Sequence, residues 1–467
     1  MVSESTQLAS ESARMEGNTT RNWMVMAAVG VGSLLGSIDN NVVNIALPTI
    51  RRDFGAEVAT AEWAITIYLL MVCGFLLTWG RIGDMRGQKP VYVSGFAMFV
   101  ASSALCGLSP SIGLLIFFRA AQGLGASMIL SSAPGILTGS FPPSQRGKVL
   151  GLQVLMVNLG CMIGPMLGGW LTDRFTWRAV FYVNVPIGLI ALVLSAKFVP
   201  RPMPANQSER FDFTGAVLFL AMFSVLLIAL NQGHAYGWSS PYIVWMFAAA
   251  VVMLAVFLLI ESRTRSPLLD LSLFRVSTFS LSCTSSISSY MALFSVGFLI
   301  PFYLIQGHGL SSSSAGLLMT VQPLLMVLSA PVAGALSDRI GTRLPATLGM
   351  AFMSVAMYLL SRLGPTSSVV YIGAALGMAG LGNGIFVAPN NSTIMGSAPK
   401  HRQGIAGGVM GAARNTGMVL GVGISGAIFT TFIRAHTHAA FFSGIRISFL
   451  VACAVSCLGC ITSAARK

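Results

Sequence analysis

The chain has 467 residues, of which 54% are apolar and only 9% charged. Soluble domains carry about 25% charged residues, so the composition excludes a soluble globular enzyme, a disordered chain and a nucleic-acid binder. The net charge of +14 would otherwise suit nucleic acid, but the basic residues fall in short polar stretches between long apolar runs, the pattern of membrane topology.

A bilayer core of about 30 Å needs about 20 helical residues to cross it. In chain order, the first six apolar runs are 23–47, 60–80, 90–108, 112–137, 149–170 and 180–199. Two more follow at 213–230 and 242–260. The last six are 278–305, 315–336, 344–360, 369–394, 404–432 and 447–464. This predicts an all-α polytopic membrane protein with 14 transmembrane helices, grouped six, two and six. The expected organisation is a polar tail over 1–22, a six-helix bundle over 23–199 and a linker over 200–212. Two additional helices over 213–260, a loop over 261–277 and a second six-helix bundle with a short tail over 278–467 complete it. All basic residues except Arg119, Arg414 and Lys197, near the end of the sixth run, lie outside the runs. They concentrate on one side, which the positive-inside rule makes cytoplasmic together with both termini. A multi-pass protein of the cell membrane is expected, its N-terminal tail too polar for a cleavable signal peptide.

The 7 cysteines all fall inside apolar runs, where they read as small packing residues. Cys453, Cys457 and Cys460 share one helical face, but no His or carboxylate joins them, so no metal site is expected. No Ser/His/Asp set and no phosphate-cradling loop points to an enzyme. No cofactor is expected beyond a proton gradient as the energy source, since the chain has no nucleotide-binding domain.

An internal repeat supports two related bundles. Gly80-x3-Asp84-x2-Gly87-x-Lys89 recurs as Gly334-x3-Asp338-x2-Gly341-x-Arg343, every position offset by 254. Each copy follows the second span of its unit, an arrangement characteristic of transporters built from facing repeats around a central cavity. With Arg86 and Arg339 beside them, these aspartates either form an ionic latch that breaks as the halves rock or sit in a solvated turn.

Further strings carry a family likeness. The first span holds Asp39-Asn40-Asn41-Val-Val-Asn44-Ile-Ala-Leu-Pro48, and the second opens with Trp63-Ala-Ile-Thr66-Ile-Tyr68. The fourth holds Arg119-Ala-Ala-Gln122-Gly123 and the fifth Gly160-x3-Gly164-Pro165-x2-Gly168-Gly169. After these come Trp177-Arg178, Asn184-Val-Pro186, Pro389-Asn390-Asn391 and Arg414-Asn415. Together with the repeat they resemble the major facilitator superfamily, and within it the fourteen-span drug:proton antiporter branch (the QacA/EmrB-like exporters). The loop copy departs from the family pattern by carrying Met85 after the Asp.

The resemblance implies a proton-coupled exporter of small amphiphilic compounds, working by alternating access. An uptake symporter or an exporter dedicated to one metabolite is the alternative. It also implies that the Asp84 and Asp338 loops control switching, that the fifth-span string is an antiporter motif, and that Arg119 takes part in proton transfer. Expected partners are the substrate, protons and the bilayer, with no nucleic acid and no obligate protein partner, so a monomer. Asn40, Asn41, Asn44, Gln122, Asn390, Asn391 and Arg414 are candidate cavity residues; asparagines there either bind substrate or bridge helices.

The acidic residues narrow the proton site. Of the 14 acids, Asp39 alone is expected deep within a span, and after Asp270 only Asp338 remains. A single cavity carboxylate that proton and substrate compete for would favour neutral or monocationic amphiphiles over dications.

Overall fold

The computed structural model describes residues 2–141, 145–200, 213–263, 271–397, 403–433 and 437–466. Residues 201–212 of the linker and 264–270 of the 261–277 loop lie outside the described residues, as do the side chains of 2–20, Asp84 and Asp338.

The described chain is helical throughout. The first part comprises α1 (Val2–Asp53), α2 (Val58–Arg86), α3 (Gln88–Leu108), α4 (Ile112–Ser140), α5 (Arg146–Arg174), the short α6 (Ala179–Tyr182) and α7 (Asn184–Phe198). A hairpin of α8 (Phe213–Tyr236) and α9 (Pro241–Arg263) follows. The last part comprises α10 (Ser277–Phe302), α11 (Ser312–Met319), α12 (Val321–Ile340), α13 (Arg343–Ser361), α14 (Val369–Ser397), α15 (Gln403–Ile433) and α16 (His438–Ala464). Within a bilayer every backbone N–H and C=O must be satisfied inside the chain, and apolar helices do this segment by segment. Proline is tolerated within several of them, including Pro165 of α5 and Pro389 of α14. Pro301 lies near the end of α10, which runs into a π-helical turn at Tyr303–Gly307.

Packing repeats between the two parts. α1 lies on α5 as α10 lies on α15, and α2 on α4 as α12 on α14. α3 lies on α7 as α13 on α16, and α1 on α7 as α10 on α16. The halves meet where α5 contacts α11, α2 contacts α15 and α1 contacts α10. The α8–α9 hairpin packs on α2 and α15 from outside.

Large apolar side chains face outward, including Trp245, Val251, Phe117 and Val370. Polar ones turn inward: Ser282, Ser285, Ser286, Ser288, Ser289 and Ser295 of α10 are all buried. Ser285 Oγ donates to Leu281 O and to Gly459 O, and Ser295 Oγ to Met291 O and Gly421 O. Small hydroxyl residues and glycines thus carry helix contacts where the hydrophobic effect cannot, because lipid is as apolar as the core.

Among the described residues, 12 helices are long and apolar enough to cross a membrane, fewer than the 14 expected. In α1 the apolar stretch is interrupted by Asp39, Asn40, Asn41 and Asn44. In α8, a helix of 24 residues, the side chains of Ala216 and His234 lie outside the described residues, which leaves Val217–Gly233.

Candidate functional site

The deepest polar group lies inside the first bundle. Asp39 of α1 and Arg119 of α4 are both fully buried, with Arg119 Nη1 2.8 Å from Asp39 Oδ2. Asp39 Oδ1 accepts from Gln122 Nε2 at 2.8 Å and from Asn184 Nδ2 of α7 at 2.6 Å. Gln122 Nε2 also donates to Ser103 Oγ of α3 at 2.7 Å. Arg119 sends Nε to Ala64 O of α2 at 2.8 Å and shares Nη1 with Gln122 Oε1 at 2.7 Å. Its guanidinium lies 4.2 Å from the centre of the Tyr68 ring. Five helices converge on one carboxylate, and three donors fill it. Both carboxylate oxygens are thereby met, as a buried ion pair requires to offset desolvation, while Arg119 Nη2 has no hydrogen-bond partner.

This geometry corrects one expectation. Asp39 does not line the space between the bundles, because the first bundle encloses it at 0% exposure. Asn184 completes the cluster, although its sequence string gave no reason to separate it from packing residues.

A second group gathers where the bundles face each other. Asn41 of α1, Cys161 of α5, Tyr290 of α10 and Arg414 of α15 all stay half-buried near the middle of long helices. Asn41 Nδ2 donates to Ser37 O at 2.8 Å and to Cys161 Sγ at 3.6 Å. Tyr290 packs on α15 one turn from Arg414, where a Cβ at Gly417 would meet Tyr290 Cβ at 2.9 Å. The amide of Asn44 lies against Gly297 of α10. Asn40 leaves its Oδ1 without a partner. Asn390 belongs elsewhere: its Oδ1 accepts from Arg466 Nη2 at 2.6 Å, which ties α14 to the end of α16. Nothing in the structure brings Asn391 to the group.

The fifth-span glycines have two faces. A Cβ at Gly160 would overlap Leu34 O, at Gly164 it would press on Asn41 Cβ at 2.7 Å, and at Gly168 it would meet Val42 O at 2.9 Å. These three glycines form the seat for α1. Gly169 faces the other bundle, where a Cβ would overlap Ser312 O, and Gly316 of α11 likewise meets Pro165 O. Asp173, two helical positions before Phe175, accepts from the backbone N–H of Ser312 at 3.2 Å and of Ser313 at 2.6 Å. It therefore caps the start of α11 across the bundle boundary. At the same end Arg51 Nη1 donates to Gln306 Oε1 at 3.0 Å.

At the other end, the repeated loops adopt matching turns. Gly87 (φ 96°) and Gly341 (φ 83°) end α2 and α12 in a backbone region that disfavours side chains. Gly80 approaches Ser131 of α4, and Gly334 approaches Ala388 of α14, at 3.9 and 4.0 Å from where a Cβ would stand. The loops also bring Arg86 and Lys89 to the start of α3, and Arg339 and Arg343 to the start of α13. Asp84 and Asp338, the centre of the expected latch, have side chains outside the described residues.

One acid was misread from sequence. Glu62 sits near the start of α2 yet is only 2% exposed, and its Oε2 has no hydrogen-bond partner. It lies against Gly426 of α15, where a Cβ would overlap it. Its position close to a span end concealed that this end is covered by the second bundle.

Comparison with known proteins fits these features. The model of the Major Facilitator Superfamily matches residues 29–282, 211–422 and 282–465. The riboflavin transporter RibZ of Clostridioides difficile is 32% identical over 448 residues, covering 94% of this chain and 96% of its own. The tetracenomycin C resistance and export protein of Streptomyces glaucescens is 32% identical over 413 residues, 88% of this chain and 76% of its own. Multidrug transporter protein MdtP of Bacillus subtilis is 28% identical over 417 residues, 88% of this chain and 76% of its own. A crystal structure of a POT family transporter in complex with a thioalcohol-conjugated peptide superposes with a TM-score of 0.70 at 13% identity. It covers 92% of this chain and 94% of that one, a likeness of fold. The chain is a multi-pass membrane transporter and belongs to the major facilitator superfamily.

Proposed function

We propose that the protein is a proton-coupled exporter of small amphiphilic compounds, of the fourteen-span drug:proton antiporter branch. In this reading the segments 23–47 and 213–230 also cross the bilayer, α1 packed on α5 and α7 and α8 on α9 and α2. The end carrying Arg86, Lys89, Arg339 and Arg343 faces the cytoplasm. The Asp173–α11 cap then lies on the outer side and holds that side closed.

The observation that carries the reading is the buried Asp39–Arg119 pair. Protonating Asp39 removes the charge that holds Arg119 Nη1, Gln122 and Asn184. Those groups lie on α4 and α7, so one proton changes how three helices of the first bundle pack. Proton release toward the cytoplasm restores the pair, and uptake from outside breaks it. The fifth-span string resembling the antiporter motif supports export. A transporter dedicated to one metabolite is the second reading, favoured by the similarity over 94% of the chain to a riboflavin transporter.

Everted membrane vesicles with an imposed inward-acid gradient test the proposal. Addition of a transported amphiphile should dissipate the gradient; an uptake symporter would instead deepen it or leave it unchanged.

A further inference from the structure

The arginines embedded in the two bundles are compensated differently. Arg119 is neutralised within its own bundle by Asp39. Arg414 of α15 has no such partner: it makes no ion pair among the described residues, and its Nε lacks a hydrogen bond. α15 carries no acid, and after Asp270 the only acid in the chain is Asp338, beside the α12–α13 turn. α15 starts at Gln403, so Arg414 lies roughly 16 Å along the helix at about 1.5 Å per residue. That is about half the thickness of a bilayer core, too deep for the guanidinium to reach the headgroups. An unpaired guanidinium at this depth is costly and marks a functional pathway.

Arg414 also does not stand alone. Tyr290 offers a phenol and Asn41 an amide from two facing helices, and Cys161 forms a wall between them; all four stay half-buried. Asp39, by contrast, is filled by three donors and enclosed, so it is not available to a cationic substrate. The expectation of neutral or monocationic cargo took Asp39 for a cavity carboxylate, and the structure encloses it within the first bundle instead.

We infer that Arg414 is the counter-ion for an anionic group of the substrate, a carboxylate or sulfonate on an aromatic amphiphile, with Tyr290 and Asn41 as its hydrogen-bonding neighbours. This deepens the transporter reading of the same interface and rests on it.

Two dyes built on the same xanthene rings, anionic fluorescein and cationic rhodamine 123, test the assignment. Their equilibrium binding is measured on the purified full-length protein in nanodiscs. Fluorescein should bind at least tenfold more tightly, a difference of about 1.4 kcal/mol. Arg414→Gln should erase the difference, and Arg414→Lys should keep most of it. The preference of the unaltered protein keeps the test decisive even if Arg414→Gln fails to fold. Equal or tighter binding of rhodamine 123, no binding of fluorescein, or an anion preference that survives Arg414→Gln would overturn the assignment. Anion-selective binding without proton-driven dye movement in everted vesicles would instead overturn the exporter reading and leave Arg414 assigned.

Discussion

Arg119 and Arg414 are both cations embedded in apolar helices, one in each bundle, and their surroundings treat them in opposite ways. Arg119 is fully enclosed and has three oxygen acceptors, on Asp39, Gln122 and Ala64, plus the Tyr68 ring. Arg414 remains half-exposed toward the boundary between bundles, with a neutral phenol, thiol and amide around it. A paired charge stabilises only while its partner stays ionised, which suits a proton-sensitive element. An unsaturated charge waits for a partner from outside, which suits binding. The bundles share a packing pattern, but their buried chemistry has diverged.

Several substitutions break or sharpen this contrast. The largest effect should come from Arg119→Gln, which strands the Asp39 carboxylate; removing one member of a buried pair costs about 3–5 kcal/mol. Arg414→Gln leaves no charge stranded and should cost less than about 1 kcal/mol. Thermal unfolding in detergent compares the two, and equal losses would remove the distinction.

Gly164→Leu comes next. It forces α5 away from α1 at Asn41, and overpacking of this kind costs about 1–3 kcal/mol. Transport should be lost from a protein that still inserts, because a gap of a few kcal/mol between conformations is enough to be overturned. Normal resistance conferred by a well-expressed Gly164→Leu protein would show that the close approach is dispensable.

Asp173→Asn should have the smallest effect. The carboxylate is exposed and caps α11 from the opposite bundle, an interaction of about 0.3–1 kcal/mol for a charge at a helix N-terminus. Labelling of a cysteine introduced at Ser313 should become up to fivefold faster, as the capped end opens more often. Unchanged labelling would mean that the glycine contact at Gly169 and Gly316 holds this end closed alone.

Much of this was legible in the residues. Long apolar runs marked the helices, and the repeat at Gly80 and Gly334 marked two related units. Asp39 and Arg119 stood out because a charge within an apolar run must find a partner. Other features depend on contacts that sequence spacing does not encode. Asp173 bonds backbone N–H groups about 140 positions away, and a backbone donor leaves no side-chain signature. Glu62 looked terminal until α15 was seen to cover it. Asp39 was expected in the cavity because counting acids gives the number of carboxylates and not how many of their acceptor sites are already filled.

In the proposed mechanism Asp39 carries the coupling proton while substrate is held elsewhere. Asp39→Asn in proteoliposomes tests it directly, with fluorescein movement measured both as exchange across equal concentrations and as accumulation driven by a pH gradient. Asn resembles protonated Asp39, with one oxygen that accepts and one group that donates, but can neither take up nor release a proton. Exchange should persist within a fewfold of the unaltered protein, while gradient-driven accumulation should disappear. Gradient-driven accumulation at the unaltered rate in Asp39→Asn would contradict the claim.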